Sequence, residues 1–236
     1  RVPWGGGSHA PELHSDSPET MLVHAPGLTV VTPSDPREAK GLLLSALRLG
    51  RPVVFFEPKR IYRAFKVEVP EEEYTVPIGK ARINREGKDL SIVAWGAMVR
   101  EALQAADELQ ALGHTAEVID LRTLSPMDSE AVVTSVRKTG RLVIAHEAPR
   151  TLGLGAEIAA RVAEEALTSL LAPIERVTGY DTVMPLAQLE EKYLPDRSRI
   201  LAAARTPWPE EKAHPAPARH SPGGVAAGAT SGTEPS

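Results

Sequence analysis

Residues 90–121 read LSIVAWGAMVREALQAADELQALGHTAEVIDL, and this stretch already predicts the architecture of the chain. The apolar run at 90–95 predicts a buried strand, and apolar residues at helical spacing over 98–112 predict an amphipathic helix that ends at Gly113. A second apolar run at 116–121 predicts another strand. A strand, a helix and a strand in this order give two parallel strands with the helix packed on one face of the sheet.

The same alternation continues after residue 121. The predicted elements are a helix over 129–138, a strand over 141–145, a helix over 155–171, a strand over 174–177 and a final helix over 196–204. Asp128 is the expected N-cap of the first of these helices, and Gly140 is expected to end it. We therefore expect an α/β fold with an open, mostly parallel sheet and right-handed crossover connections.

A separate strand–helix–strand unit precedes this one. Residues 28–32 and 52–56 are the predicted strands, and apolar residues at helical spacing lie between them. Ser34 is the expected N-cap of the intervening helix, Pro36 suits its first turn, and Gly50 is expected to end it. This unit predicts a second parallel sheet, again covered by a helix.

Two segments lack the pattern of a packed element. Residues 68–89 carry proline, glycine and charge without helical periodicity, so they predict a linker and a turn between two domains. Residues 207–236 contain six prolines and no Leu, Ile, Phe, Met or Tyr. Such a composition cannot bury enough apolar surface to offset the entropy lost on ordering, so this tail is expected to be disordered. A linker to a further domain is the alternative.

Composition excludes several classes of protein. The chain of 236 residues has a formal net charge of −4, which argues against binding of nucleic acid through phosphate attraction. It has no cysteine, which excludes disulfide scaffolds, thiolate zinc sites and cysteine nucleophiles. No apolar run approaches the roughly 18 residues of a membrane span, and the first residues lack the apolar core of a secretory signal. We expect a cytoplasmic protein that binds neither nucleic acid nor membranes.

The carboxyl ends of the predicted strands are a candidate ligand-binding edge. Ligands of open α/β sheets bind beyond these ends, which points to Gly96–Ala97, Arg122–Thr123 and His146–Glu147. At the last of these the carboxylate could orient the imidazole, although a buried structural pair is the simpler interpretation. The Gly-Leu-Gly string at 153–155 could bind an anion at a helix start, but close packing of that helix on a strand is the simpler interpretation.

The string HSDSPE at residues 14–19 is the most unusual polar cluster. Dense donors and acceptors on an irregular segment suit a site loop, and His14 could transfer protons near neutral pH. The alternative is structural. Asp16 or Ser17 would cap a helix that begins at Pro18, and His14 would be polar surface.

Two further patterns bear on partners and metals. Arg60 and Arg63 follow the strand over 52–56, where they could form bidentate ion pairs at a subunit interface or lie in solvent. None of the seven histidines forms an H-x-x-x-H pair, so no metal site is expected.

A series of ordered motifs gives a resemblance to a known family. The motifs are HSDSPE at 14–19, HAPGL at 24–28, AKGLL at 39–43, FFEPKRIYR at 55–63, VAWG at 93–96, EVIDLRT at 117–123, HEAP at 146–149 and GYDT at 179–182. In this order they resemble the beta subunit of the thiamine diphosphate-dependent 2-oxo acid dehydrogenases over residues 1–205. The strings FFEPK and GYDT are most similar to the branched-chain subgroup, and pyruvate-type relatives share much of the pattern.

The resemblance implies a division of the chain. It implies the C-terminal part of a pyrimidine-binding domain at 1–70, a linker and turn at 71–89, a transketolase C-terminal-type domain at 90–206 and a tail at 207–236. The chain would then begin midway through the first domain, and the glutamate that activates the cofactor would precede Arg1. We therefore expect no cofactor-binding residue in this fragment, and we expect the fragment alone to be inactive.

The resemblance also implies a reaction and its partners. The reaction is oxidative decarboxylation of branched-chain 2-oxo acids with acyl transfer to lipoyl groups, with pyruvate as the alternative substrate. Thiamine diphosphate would be shared with an alpha subunit that binds its magnesium. The assembly would be an alpha/beta heterotetramer, with a second beta subunit, that serves a lipoyl acyltransferase core. His14 matches the family's active-site histidine near the channel of the lipoyl arm and is the one catalytic residue that we expect.

Departures from the family pattern leave other interpretations open. Asp16 stands where the family usually has Gln, and Leu49 and Arg51 stand where some relatives bind potassium, so that ion is not expected. The chain could be a catalytically silent assembly module. It could also be the C-terminal part of a transketolase or of a deoxyxylulose-phosphate synthase, although the strings at 14–19 and 56–59 argue against this.

Overall fold

Strands and helices alternate through the computed structural model, which describes residues 1–10 and 14–205; the tail predicted at 207–236 lies outside the described residues. The strands are β1 (Val2–Trp4), β2 (Thr29–Val31), β3 (Val53–Pro58), β4 (Arg82–Arg85), β5 (Leu90–Ala94), β6 (Ala116–Asp120), β7 (Thr123–Ser125), β8 (Leu142–Pro149) and β9 (Glu175–Gly179). The helices are α1 (Glu19–Val23), α2 (Pro36–Arg48), α3 (Met98–Ala111), α4 (Ser129–Thr139), α5 (Leu154–Ala166), α6 (Ala187–Tyr193) and α7 (Arg197–Arg205). None of these helices has the length and hydrophobicity that crossing a membrane requires.

The first sheet has the strand order β1-β3-β2-β7. Strand β2 pairs with β3 in parallel, as the strand–helix–strand pattern of this segment predicts, and β1, which the sequence did not predict, also pairs with β3 in parallel. The last strand, β7, pairs antiparallel with β2 although it follows β6 of the other sheet along the chain. The second half of the chain therefore contributes a strand to the first sheet.

The second sheet has the order β4-β6-β5-β8-β9, and all its strands are parallel except β4. Its central strand β5 is buried along its whole length because helices cover both faces. Ile92 and Ala94 pack in the apolar cluster that includes residues of α3 and α7, whereas Val93 packs in the cluster that includes residues of α4 and α5. This arrangement confirms the α/β fold with mostly parallel sheets.

One apolar cluster joins the two sheets. Trp4, Val30 and Phe56 of the first sheet belong to the same buried cluster as Val93 and Trp95. Full burial of a large apolar side chain stabilises a fold by about 1.5–3 kcal/mol, so a shared cluster couples the two sheets strongly.

Helices α3 and α4 confirm the predicted roles of two glycines as helix ends and of Asp128 as an N-cap. Gly113, just after α3, has a φ of 89°, and Gly140 at the end of α4 has a φ of 70°. Both angles lie in the left-handed region that glycine adopts without steric strain. The carboxylate of Asp128 accepts a hydrogen bond of 3.3 Å from the backbone N–H of Ala131, as expected of an N-cap.

Asp35, not Ser34, caps helix α2. Its backbone is extended, with a φ of −150°, and its carboxylate accepts a hydrogen bond of 2.7 Å from the N–H of Glu38. The Ser34 hydroxyl instead donates to the carboxylate of Asp120 in the other sheet. The two neighbouring residues are both good caps, so the tertiary contact of Ser34 decides between them.

The structural alternative for residues 14–19, in which Asp16 or Ser17 caps helix α1, is wrong. Pro18 occupies its N-cap position, and no side chain makes a cap hydrogen bond there. Asp16 and Ser17 therefore do not cap this helix.

Residues 82–85, which the sequence places in the linker and turn, form the edge strand β4. Arg82 lies opposite Asp120 and Ile83 opposite Ile119 in an antiparallel ladder. The sequence RINR has too few apolar residues to predict a strand. A polar strand is nevertheless suited to a sheet edge, where charged side chains prevent further pairing.

Helix α5 is shorter than the predicted helix over 155–171. It ends at Ala166, and a 3-10 turn follows at Leu167–Ser169. Leu167 and Leu171, which extend the apolar periodicity in the sequence, are 62% and 68% exposed. The N–H of Leu171 donates to the carbonyl of Gly140 at 2.7 Å, so the chain here turns back towards α4.

Candidate active site

The candidate active-site segment consists of residues 5–10 and 14–18, which have no regular secondary structure and which we call the His14 loop. It leaves β1 after Trp4 and leads into α1. His14 lies in a turn of this loop and its side chain is exposed. Ser15 beside it is buried, so the exposed imidazole is attached to the chain next to a residue that packs inside the fold.

Two hydrogen bonds close the His14 loop on itself. The N–H of Gly5 donates to the carbonyl of Asp16 at 3.1 Å, and the hydroxyl of Ser15 donates to the carbonyl of Ala10 at 2.8 Å. The two arms of the loop are therefore tied together on either side of residues 11–13.

Glu19 lies buried beneath the end of the loop. The indole N–H of Trp4 donates to its carboxyl at 3.2 Å, and Trp4 itself packs against Phe56 with ring centroids 5.5 Å apart. Burial raises the pKa of Glu19 to about 8, and hydrogen bonds from its own backbone and from Trp4 only partly oppose this rise. The carboxyl group therefore holds a proton at neutral pH.

The expected ligand-binding edge of the second sheet is filled by the first sheet. A Cβ at Gly96 would lie 2.6 Å from a ring carbon of Trp4, so the backbone and the indole are in close contact. Asp120, at the end of β6, accepts the hydrogen bond from Ser34, and Glu147 accepts one from the N–H of Gly6. These strand ends therefore form an interface between the sheets instead of an open crevice.

A buried polar network crosses that interface. The guanidinium of Arg122 donates to the carboxylate of Glu38 at 3.0 Å, and Arg82 donates to the other oxygen of the same carboxylate at 2.9 Å. Burial raises the pKa of Asp120 to about 7, against the opposing effect of its hydrogen bonds from Ser34 and from the N–H of Arg122. The network ties α2 to the end of β6.

His146 and Glu147 do not form the expected carboxylate–imidazole pair. Successive residues of a strand point to opposite faces of the sheet, so these two side chains diverge. The His146 ring stacks on Trp95, with centroids 5.1 Å apart and an interplanar angle of 14°. Within the described ranges neither of its ring nitrogens has a hydrogen-bond partner, and burial lowers its pKa to about 3. His146 is therefore a neutral packing residue.

The Gly-Leu-Gly string at the start of α5 confirms the packing interpretation. A Cβ at Gly153 would lie 2.6 Å from Cε1 of His146, and a Cβ at Gly155 would lie 2.8 Å from Nε2 of the same ring. Real Cβ atoms essentially never come so close. Glycine at both positions lets α5 approach the His146 ring.

Two buried carboxylates hold the glycine-rich start of the His14 loop. Glu147 accepts a hydrogen bond of 3.0 Å from the N–H of Gly6, and Glu190 on α6 accepts one from the N–H of Gly7. Sequence reasoning missed Glu190 because α6 has no strong apolar pattern. The three consecutive glycines at 5–7 were the available signal, because repeated glycine often marks close approach of another group.

Arg60, for which the sequence leaves a subunit interface or solvent open, forms an ion pair within its own chain. Its guanidinium donates to Glu101 at 3.0 Å and to the carbonyl of Pro195 at 3.2 Å, and it lies 4.0 Å from a carboxylate oxygen of Glu147. Arg60 thus connects β3 to the second half of the chain. Arg63 is exposed.

The candidate site consists of the exposed imidazole of His14, on a loop whose glycine N–H groups donate to the buried side chains of Glu147 and Glu190. Among residues 1–10 and 14–205, no group of three His, Asp or Glu side chains could hold a metal ion. An imidazole in this setting can bind, hold or release a proton on a group that approaches from outside the chain.

Comparisons with known proteins extend this description to a family. The model of the transketolase pyrimidine binding domain matches residues 1–64, and that of the transketolase C-terminal domain matches residues 79–200. The pyruvate dehydrogenase E1 component subunits beta of Staphylococcus aureus (strain Mu50 / ATCC 700699) and Bacillus subtilis (strain 168) are each 51% identical over 205 residues. These 205 residues are 87% of this chain and 63% of each relative.

A solved structure gives the same result for the fold. A chain described as "Split gene transketolase, inactive beta4 tetramer" superimposes with a TM-score of 0.70 at 30% identity, over 86% of this chain and 64% of its own length. The chain thus spans somewhat less than two thirds of these relatives. The two models match in the order of the two sheets along the chain, and the chain belongs to the family of proteins that carry the transketolase C-terminal domain, here preceded by a match to the transketolase pyrimidine binding domain.

Proposed function

We propose that this chain is the beta subunit of a thiamine diphosphate-dependent 2-oxo acid dehydrogenase. The observation that carries the proposal is the 51% identity to pyruvate dehydrogenase E1 beta subunits over 205 residues, which are 87% of this chain. The second domain in this proposal starts at β4 and the first occupies residues 1–70. The family matches at 1–64 and 79–200 support this division.

Members of this family use thiamine diphosphate, which when bound supplies an electron sink for the loss of carbon dioxide from a 2-oxo acid. The proposal assigns the diphosphate and its magnesium to an alpha subunit on the resemblance to the family alone.

His14 is the catalytic residue of the proposal. Its exposed imidazole can deliver a proton to a sulfur of the lipoyl group as the acyl group is transferred, or hold that group in position. The support is its match to the family histidine and its exposure on a loop tied down on both sides.

Pyruvate is the first proposed substrate, because the 51% identical relatives bear that name. The strings that favour a branched-chain substrate have structural roles in this chain. Phe56 lies in the core, and Glu57 accepts a hydrogen bond of 2.9 Å from Tyr62. Asp181 accepts hydrogen bonds from the backbone and the hydroxyl of Thr151. The branched-chain 2-oxo acids remain the second candidate on the likeness of these strings alone.

The proposed assembly is an alpha/beta heterotetramer in the cytoplasm that passes acyl groups to a lipoyl acyltransferase core. The similar transketolase chain is described as a tetramer of beta chains, which supports contact between two beta subunits. A chain that only assembles, without catalysis, is the competing interpretation.

The test uses the full-length gene product, co-expressed with its alpha subunit. Decarboxylation of pyruvate and of 3-methyl-2-oxobutanoate is measured with an artificial electron acceptor. Faster turnover of pyruvate supports the proposal in full, and faster turnover of the branched substrate keeps the enzyme class and changes the substrate. A well-assembled tetramer that turns over neither contradicts the proposal and favours the assembly module.

We predict that His14→Ala in this complex slows acyl transfer to a lipoyl domain by about 10²- to 10⁴-fold, the usual contribution of a positioned acid or base. Decarboxylation with the artificial acceptor should change far less, because it does not use the lipoyl group. His24→Ala is the matched control, because that histidine is also exposed and lies just after α1. Unchanged lipoyl acylation in His14→Ala would remove His14 from the mechanism.

A further inference from the structure

The His14 loop has a backbone conformation that needs external support. Gly5 and Gly7 have φ values of 78° and 84°, and His9, which is not a glycine, has a φ of 55°. A non-glycine residue in this left-handed region is strained and persists only where its surroundings fix it. The support must come from the residues that contact the loop.

Those contacts come from two carboxylates in the second half of the chain. Glu147 at the end of β8 and Glu190 on α6 are both buried, and each accepts a hydrogen bond from one glycine N–H, of Gly6 and Gly7 respectively. The glycines allow this close approach. A Cβ at Gly5 would lie 2.5 Å from a carboxylate oxygen of Glu147.

The two acids are poorly explained as contributions to stability. One oxygen of each carboxylate, Oε1 of Glu147 and Oε2 of Glu190, has no hydrogen-bond partner among the described residues. Two basic side chains lie near these oxygens without a hydrogen bond: Arg60 is 4.0 Å from Glu147, and the imidazole of His9 is 3.6 Å from Glu190. A buried carboxyl oxygen without a hydrogen-bond partner costs desolvation free energy, which an apolar side chain of similar volume would not cost. The loop that they hold is therefore the better reason for their presence.

We propose that Glu147 and Glu190 are positioning residues for His14, because each fixes one glycine N–H of the loop that carries it. The hydrogen bond from Gly5 to the carbonyl of Asp16 joins the fixed arm to the arm with His14. A carboxyl group suits this task because either of its two oxygens can accept the glycine N–H, whereas an amide offers only one acceptor oxygen. This inference rests on the proposed function only for the role of His14, and not for the fixing of the loop.

The first experiment measures the loop directly. Amide hydrogen exchange is followed in the assembled full-length protein for the wild type, Glu190→Ala, Glu190→Gln and the control Glu191→Ala. Glu191 is the exposed neighbour on the same helix. We expect faster exchange over residues 5–10 in Glu190→Ala, a smaller increase in Glu190→Gln, and the wild-type rate in the control. Unchanged exchange over residues 5–10 in Glu190→Ala would overturn the inference, whatever reaction the complex catalyses.

The second experiment tests whether the effect reaches His14. We expect Glu190→Ala to slow acyl transfer to a lipoyl domain by about 10- to 100-fold, as small misplacements of a reacting group do. Decarboxylation with an artificial acceptor should change less than acyl transfer. If Glu190 acts through His14, the double variant Glu190→Ala/His14→Ala is no slower than His14→Ala alone. Additive losses would overturn the positioning role.

The outcomes also separate this inference from the proposed function. A wild-type complex without 2-oxo acid turnover contradicts the function, while the exchange rates still decide whether the two acids fix the loop. Should Glu190→Ala fail to assemble, Glu190→Gln and Glu147→Gln supply the same comparison, because each keeps one acceptor oxygen and replaces the other with an NH₂ group. Both should then show faster exchange over residues 5–10, and wild-type rates in both would overturn the inference.

Discussion

Glu19 shows how one buried side chain makes the stability of the protein depend on pH. Its carboxyl group is enclosed beneath Trp4, and burial raises its pKa from 4.5 to about 8. Between these two values the folded protein keeps a proton that the unfolded chain releases. The free energy of unfolding from this group is therefore largest below pH 4.5 and falls as the pH rises towards 8.

We predict that Glu19→Gln removes this pH dependence. The substituted amide can still accept the hydrogen bond from Trp4, and it carries no charge at any pH. Urea unfolding of the wild type between pH 5 and 8 should show a loss of up to about 1.4 kcal/mol per pH unit relative to the variant. Glu164→Gln on the exposed face of α5 is the control and should follow the wild type. Parallel curves for the wild type and Glu19→Gln would show that this carboxyl is ionised at neutral pH.

His146 is the converse case, a base that burial keeps neutral. Its pKa is lowered to about 3, so its neutral form contributes stability that is present above pH 6.5 and is lost as the pH falls towards 3. Its ring serves as a packing surface between Trp95 and the start of α5. A histidine next to a glutamate in the sequence is therefore not by itself a catalytic pair.

Helix α5 depends at the element scale on two glycines that face this ring. In an ordinary exposed helix, Gly→Ala stabilises by about 0.5–1 kcal/mol. At Gly155 the added methyl group would lie 2.8 Å from the His146 ring and 3.2 Å from Ile144, so the packing of the helix on β8 would have to open. At Gly155 the helix propensity of alanine favours the substitution, whereas the close contact with the His146 ring opposes it.

We predict that the tertiary contact is the larger effect, so that Gly155→Ala destabilises the protein by about 1–3 kcal/mol, the usual cost of overpacking. The measurement is urea unfolding in two backgrounds, the natural sequence and His146→Ala. Removal of the ring should reduce or reverse the effect of Gly155→Ala, because contacting residues are not additive. An equal effect in both backgrounds would mean that the ring is not the obstacle.

At the scale of the whole molecule, the two sheets are joined by one apolar cluster, one shared strand and one polar network. The shared strand is β7, which follows β6 along the chain and pairs with β2. The polar network places the guanidinium of Arg122 on the carboxylate of Glu38, with both side chains more than nine-tenths buried. We therefore expect the two halves to unfold together in a single transition.

We predict that Arg122→Met lowers the free energy of unfolding by about 3 kcal/mol, because it leaves a buried carboxylate without one of its cations. The value is at the low end of such effects because Arg82 remains beside Glu38. Thermal unfolding should also broaden or split into two transitions as the sheets uncouple. Arg48→Met is the control, because its pair with Glu73 is exposed, and it should change stability by no more than about 0.5 kcal/mol. Equal effects of the two substitutions would contradict the role of the buried network.

Local patterns were sufficient for most of the regular structure. The strands β5 and β6 and the helices α3 and α4 lie within a residue or two of their predicted bounds, because their apolar periodicity repeats over many positions. The resemblance also implied a pyrimidine-binding domain and a transketolase C-terminal-type domain, and family models of both match the chain. The polar strand β4 and the short helix α6 were missed, because neither has enough apolar residues to produce a period.

The amino-acid order thus sets which segments become strands and helices, because that choice depends on neighbours a few residues apart. It does not set which distant polar groups meet. Glu147 accepts a hydrogen bond from Gly6, 141 residues away, and Ser34 donates to Asp120 instead of capping its own helix. Contacts of this kind exist only after the two sheets pack together, because burial removes water as the competing partner and leaves each polar group dependent on its new neighbour.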